Sequence, residues 1–166
     1  ERFAVLITRE TGKPLWEARQ EVIASVRAVD LLFDEGMSLL EPRILHEREA
    51  RSDYRPRGVV GILTPFNLPL LIATLKSCAA LLAGNSVVLK PSKFTPGVGQ
   101  AVAELFDRCR LPRGTFNMIQ GSGKGIGQRL ATHEGLDALM FSGSFQTAAL
   151  LRKAMVDRPE LPTFLQ

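Results

Sequence analysis

Residues 64–70 read TPFNLPL, and Asn67 is the side chain among them best suited to chemistry. A neutral amide between two prolines, after a strand-like run and before a helix-like one, is either a turn former or a hydrogen-bond donor held out to a ligand. A second loop, VVLKPSKFTP, ends a strand-like run in Lys90, with Lys93 close behind. An ammonium there either binds ribose hydroxyls or a 2′-phosphate, where many dinucleotide folds use an acid, or is a solvated loop charge. A third loop, QGSGKGIGQRL, opens a helical pattern with glycines, which suits a phosphate and equally suits a flexible turn. It misses the G-x-G-x-x-G register because Ile126 stands at the third glycine, and it misses the P-loop because Gly125 follows Lys124. Nucleotide hydrolysis on a P-loop is therefore disfavoured.

These loops need elements to position them. Short apolar runs at residues 59–64, 85–90, 115–120 and 138–141 read as strands, each followed by a helical pattern, over 68–83, 97–109, 124–132 and 145–155. Strand and helix alternating in this way, with continuous apolar runs, predicts an α/β fold with a parallel, doubly wound, Rossmann-like sheet flanked by helices. Ligands bind such sheets at the carboxyl ends of the strands. The four strand ends read TPFN, KPSK, QGSGKG and FSGS, so Pro, Gly, Ser and cations collect on one edge.

Ahead of this sheet, KPLWEARQEVIASVRAVDLLFDEG reads as a helix with Pro14 in its first turn and Gly36 as its stop. Val22, Val26, Val29 and Phe33 are expected to form its inward stripe. RILHER then suggests a short edge strand. The expected division is residues 1–57 as an N-terminal helix and the start of an edge-strand segment, and 58–166 as a ligand-binding α/β domain.

Composition agrees with a folded, water-soluble domain: 166 residues, 45% apolar and 23% charged. No run of about 18 apolar residues occurs, and the first residues lack the basic-then-apolar order of a signal peptide, so a cytoplasmic protein without membrane contact is expected. Cys78, Cys109, His46 and His133 show no metal-ligand spacing, so no metal is expected. Residues 58–166 carry 11 Lys/Arg against 6 Asp/Glu. That surplus suits a phosphate-bearing ligand or nucleic acid, but the cations are scattered singly with few aromatics among them, which disfavours nucleic acid.

The segments ETGKPLWEA, RPRGVVGILTPFNLPL, LLAGNSVVLKPSKFTP, LPRGTFNMIQGSG and FSGS occur in an order and spacing that resemble the aldehyde dehydrogenase superfamily over nearly the whole chain. Within it, ETGKPLWEA and the ending RPELPTFLQ resemble the succinylglutamate semialdehyde dehydrogenases, enzymes of arginine catabolism. The resemblance implies NAD or NADP as cofactor, a small aldehyde as substrate and a homo-oligomeric full-length enzyme. It implies that Asn67 donates to the substrate oxygen in the oxyanion hole and that Lys76 lies near the proton-relay path. It places Lys90 and Ser92 at the adenosine ribose, Gly143 and Ser144 at the pyrophosphate, and Ile62, Thr64 and Phe66 in the wall of the cleft. Gly123, in the glycine loop, joins the cofactor positions. Lys93 stands where the family often has a glutamate that holds the ribose hydroxyls and repels a 2′-phosphate, which implies tolerance of NADP or preference for it over NAD.

The family's chemistry also needs a cysteine nucleophile and a glutamate base. The resemblance places the base just past Gln166 and the nucleophile further on, with Cys78 and Cys109 matching neither. The chain is thus expected to be the N-terminal part of a longer dehydrogenase, inactive alone; the alternative is a naturally truncated dinucleotide-binding or interaction protein.

Overall fold

The computed structural model describes residues 1–45, 50–156 and 162–165. It opens with α1 (Arg2–Thr11), closed by Gly12 in the left-handed conformation, and α2 (Leu15–Leu31), which begins directly after Pro14. The chain continues through one π turn (Leu32–Gly36) and one 3-10 turn (Met37–Leu40), so Gly36 relaxes the helix and does not stop it. β1 (Arg43–Leu45) and β2 (Ala50–Ser52) then pair antiparallel as a separate two-stranded sheet. The first half of RILHER is thus a strand, but not an edge of the main sheet; His46 and the rest of that motif lie outside the described residues.

From Val59 the alternation expected from the sequence is present. The order is β3 (Val59–Leu63), α3 (Pro69–Leu82), β4 (Ser86–Lys90), α4 (Pro96–Arg108), β5 (Phe116–Met118), α5 (Gln128–Ala131), β6 (Ala138–Phe141), α6 (Phe145–Met155) and β7 (Thr163–Leu165). A π turn at Gly123–Gly127 leads into α5. The five strands lie in the order β5-β4-β3-β6-β7 and every pairing is parallel. β7 was not among the expected strands.

A parallel sheet must be covered on both faces, and the residue alternation along β3 shows how. Val60 and Ile62 point to one side, where they meet Val87 and Leu89 of β4, Leu70 and Ala73 of α3, and Val98 and Val102 of α4. Leu63 points to the other, with Leu139 and Phe141 of β6 and Ala148 and Leu151 of α6. The N-terminal helices join the first cluster through Ala4, Ile7 and Ala18, so they share one core with the sheet.

The inward face of α2 differs from the expected stripe. Its buried residues are Ala18, Glu21 and Ser25; of the expected stripe Val26 and Phe33 are exposed, while Val22 and Val29 are partly buried and Val22 packs against the core. Small side chains let α2 approach α3 closely, and Glu21 makes a polar contact that hydrophobic spacing does not report.

Ile62 is fully buried, at 0% exposure, and so packs the core in place of lining a cleft wall. Truncation to alanine would leave a cavity between the sheet and its helices. Ile62→Ala is expected to cost about 2–5 kcal/mol in urea denaturation, and a loss below about 1 kcal/mol would show that the site collapses freely.

Candidate functional site

Because all five strands run the same way, β3, β4, β5 and β6 deliver their following loops to one edge. The chain steps outward from β3 to β4 to β5, then returns to place β6 on the other side of β3. That reversal sets the switch point of the sheet between the loops after β3 and β6, where a doubly wound sheet usually has its ligand crevice. The strand ends are tied together: Ser142 N–H donates to the Leu63 carbonyl at 3.0 Å, and Thr64 N–H to the Lys90 carbonyl at 3.3 Å.

Asn67 lies in the β3–α3 loop, exposed, and among the described residues its amide has no hydrogen-bond partner. A turn-forming asparagine would normally bond its own loop, so the free amide favours the donor reading. Across the crevice, Ser144 caps α6: its Oγ accepts from Thr147 N–H at 3.3 Å. Gly143 beside it has no room for a side chain, since a Cβ would stand 2.5 Å from Cζ of Phe141. Gly143 and Ser144 are both exposed at this edge.

Lys76 spans from α3 to this edge, and its Nζ donates to the Phe141 carbonyl at 3.0 Å. The amine thus ties α3, and with it the Asn67 loop, to the end of β6. Its burial lowers its pKa below the ordinary lysine value. Lys90 is 6% exposed, and its Nζ donates to the Pro91 carbonyl at 2.7 Å. Burial lowers its pKa as well. Its stem lies against Gly127, so the lysine also connects the loop after β4 to the π turn after β5.

Ser92 Oγ accepts from Phe94 N–H at 3.2 Å, which shapes the turn that carries Lys93. Lys93 is exposed, with Nζ 4.9 Å above the Phe94 ring. Phe94 in turn meets Phe66 edge to face at 5.8 Å. Phe66 and Phe94 are 51% and 59% exposed, so two loops present an aromatic wall with a cation upon it. Sequence reading singled out Phe66 and Lys93 but missed Phe94.

Thr64 is buried at the end of β3, and its Oγ1 has no hydrogen-bond partner among the described residues. Gly123 is exposed at the start of the π turn, behind Ser122, whose Oγ accepts from Gly125 N–H at 3.0 Å. The edge therefore assembles Thr64, Phe66, Asn67, Lys90, Ser92, Lys93, Gly123, Gly143 and Ser144 on neighbouring loops, with Ile62 buried beneath.

Two acidic residues reach the same edge from the N-terminal helices. Glu21 Oε1 accepts from the N–H groups of Leu70 and Leu71 at 2.9 and 3.3 Å, and Lys13 Nζ stands 3.1 Å from Oε2. Glu10 accepts from Gly97 N–H at 2.7 Å and from Val98 N–H at 2.9 Å. Neither was legible as a cap, because each lies far along the chain from the helix it serves.

The cysteines stand apart from this edge. Cys78 lies within α3, where burial raises its thiol pKa, and Cys109 is exposed beyond α4. Among the described residues no group of three His, Cys, Asp or Glu side chains could hold a metal ion, and no helix is long and apolar enough to cross a membrane.

A family model described as the aldehyde dehydrogenase family matches residues 1–161. Proteins named N-succinylglutamate 5-semialdehyde dehydrogenase from Burkholderia thailandensis and Burkholderia multivorans are each 40% identical over 172 aligned residues, covering 100% of this chain. The chain spans 34% of the length of each of these relatives. The solved aldehyde dehydrogenase of Bartonella henselae superposes with a TM-score of 0.92 at 31% identity, over 98% of this chain and 34% of that one. Proline utilization A of Bradyrhizobium japonicum gives 0.89 at 28% identity, over 98% of this chain and 17% of that one.

Gly143→Ala probes the crowding beside the crevice. Moving the Phe141 ring to admit a methyl group is expected to cost about 1–3 kcal/mol, as overpacking commonly does. A thermal midpoint unchanged from the parent chain would show that Phe141 yields freely.

Proposed function

This chain belongs to the aldehyde dehydrogenase family, and we propose that it supplies the cofactor fold and one oxyanion donor for the NAD(P)-dependent oxidation of an aldehyde to a carboxylate. The observation that carries the proposal is the unpartnered Asn67 amide beside the crevice between β3 and β6. A preorganised neutral donor is what stabilises negative charge developing on a carbonyl oxygen, because it needs no reorganisation as the charge appears. In that role Asn67 is a catalytic residue, and Lys76 holds its helix to the end of β6.

The residues on the edge fit a dinucleotide. Gly143 is exposed, and the exposed N-terminus of α6 offers N–H groups and the positive end of the helix to a pyrophosphate. Ser92 and Lys90 lie beside the expected ribose position. When bound, NAD(P) is the two-electron acceptor; the protein's part here is to seat it and to leave the Asn67 amide facing the reacting oxygen.

Lys93 supports a reading in which NADP is accepted. Its ammonium, steadied over Phe94, stands at the exposed end of the β4 loop, where a 2′-phosphate would find a positive charge. For the substrate we propose N-succinylglutamate 5-semialdehyde, on the strength of the two Burkholderia relatives. The nucleophile and the water-activating base belong, in this reading, to residues outside these 166. Oligomer formation by the longer enzyme and a cytoplasmic location remain part of the same proposal.

Two measurements test it. Calorimetric titration of the chain is expected to give NADP a dissociation constant no weaker than that of NAD, and NAD binding more than about tenfold tighter would contradict the role of Lys93. In the longer dehydrogenase, Asn67→Ala is expected to lower turnover about 10²-fold or more with cofactor affinity little changed. Unaltered turnover would reduce Asn67 to a loop residue.

A further inference from the structure

In a doubly wound sheet the turn after the first strand is the customary seat for phosphate, because the next helix points its free N–H groups and its positive end at that turn. Here that turn is TPFN, and the helix is α3. Its N-terminus is already taken: the Glu21 carboxylate, on a residue 4% exposed, receives Leu70 and Leu71 N–H. Behind it Lys13 completes an arrangement of two amides, a helix end and an ammonium around one anion. These are the parts of a phosphate site, filled from within by a side chain.

The second helix is closed in the same way. Glu10 sits on Gly97 and Val98 with one oxygen on each N–H. Gly97 is what permits this approach, since a Cβ there would come within 2.9 Å of Glu10 Oε1. Thr95, at the N-cap position of α4, is fully buried and its hydroxyl has no hydrogen-bond partner among the described residues, so the cap at α4 comes from Glu10 instead. At α6 the contrast is clear: the cap there is Ser144, a neutral residue of the same loop.

We propose that Glu21 and Glu10 are specificity-determining residues that close the N-termini of α3 and α4 to phosphate, leaving the turn after β3 to Asn67. An internal carboxylate excludes a free anion by charge and by occupancy. The chain end that supplies both acids thus governs where on the sheet edge an anion is accepted. The consequence for Asn67 rests on the function proposed above; the closure itself does not.

Inorganic phosphate is the probe, so the test does not depend on dinucleotide binding. The isotopically labelled chain is titrated while the amide resonances of Leu70, Leu71, Gly97 and Val98 are followed. In the parent chain these four amides are expected to stay silent. In Glu21→Ala, Leu70 and Leu71 are expected to respond, with phosphate binding at least about tenfold tighter than in the parent, since both N–H groups are set free and Lys13 keeps only its 3.5 Å ion pair with Glu17. Glu10→Ala is expected to give a smaller gain at Gly97 and Val98, where no ion-pair partner of Glu10 stands among the described residues. Glu21→Gln is expected to keep α3 closed, because an amide oxygen still accepts from the helix.

A response of Leu70 and Leu71 in the parent chain would overturn the proposal, as would silence in both folded alanine variants. If Glu21→Ala loses its dispersed spectrum, Glu10→Ala and the parent titration decide. Failure of NAD(P) to bind the parent chain would count against the proposed function and leave this result standing.

Discussion

The parallel pairing of β3 with both β4 and β6 is the constraint on which the rest of the molecule depends. It registers Val60–Leu63 against Ala138–Phe141 on one side and Val59–Leu63 against Ser86–Lys90 on the other. With both neighbours running the same way, β3 is buried on both faces, and its apolar run follows from that burial. The same pairing brings the loops after β3 and β6 side by side across a crevice. Asn67 on one and Gly143 with Ser144 on the other are neighbours only because the chain reverses its direction of winding between them.

Electrostatics then divides the edge. The helices α3, α4 and α6 present N-termini to it, and each end carries a partial positive charge. Carboxylates from the first two helices of the chain neutralise α3 and α4, while α6 is capped by a serine. Lys76 and Lys90 spend their ammonium groups on backbone carbonyls of this edge, which ties the loops together at the cost of desolvation. Lys93, by contrast, stays exposed against an aromatic ring. The three lysines thus have different work, though all lie near the same strand ends.

Much of this was legible in the sequence. Continuous apolar runs marked β3, β4, β5 and β6, and helical patterns after each marked the layers, because both signals come from burial that a single segment records locally. Asn67 was legible as one of two things, and the absence of a partner for its amide favours one. What stayed hidden depends on partners distant in the chain. Glu10 and Glu21 read as ordinary acids of amphipathic helices; their role arises from residues 49 and more positions away. Half of the stripe expected on α2, Val26 and Phe33, is exposed for the same reason, since the buried face is Ala18, Glu21 and Ser25 by close approach in place of apolar bulk. In α1, Phe3, Ala4 and Ile7 stand at helical spacing, and all three meet the core. β7 spans three residues, too few for any periodicity. Ile62 was assigned to the cleft by resemblance, whereas strand alternation alone puts it with Val60 in the core.

The measurement that bears most directly on the account is the map of amide shifts on this chain as NADP is added. The account predicts saturable changes at Gly143, Ser144 and the first turn of α6, and at Lys90–Phe94. Saturable shifts confined to the cavity of about 480 Å³ between α4 and the loop before β5, lined by Glu104, Asp107, Arg113 and Phe116, would contradict it. So would a chain whose resonances do not respond at all.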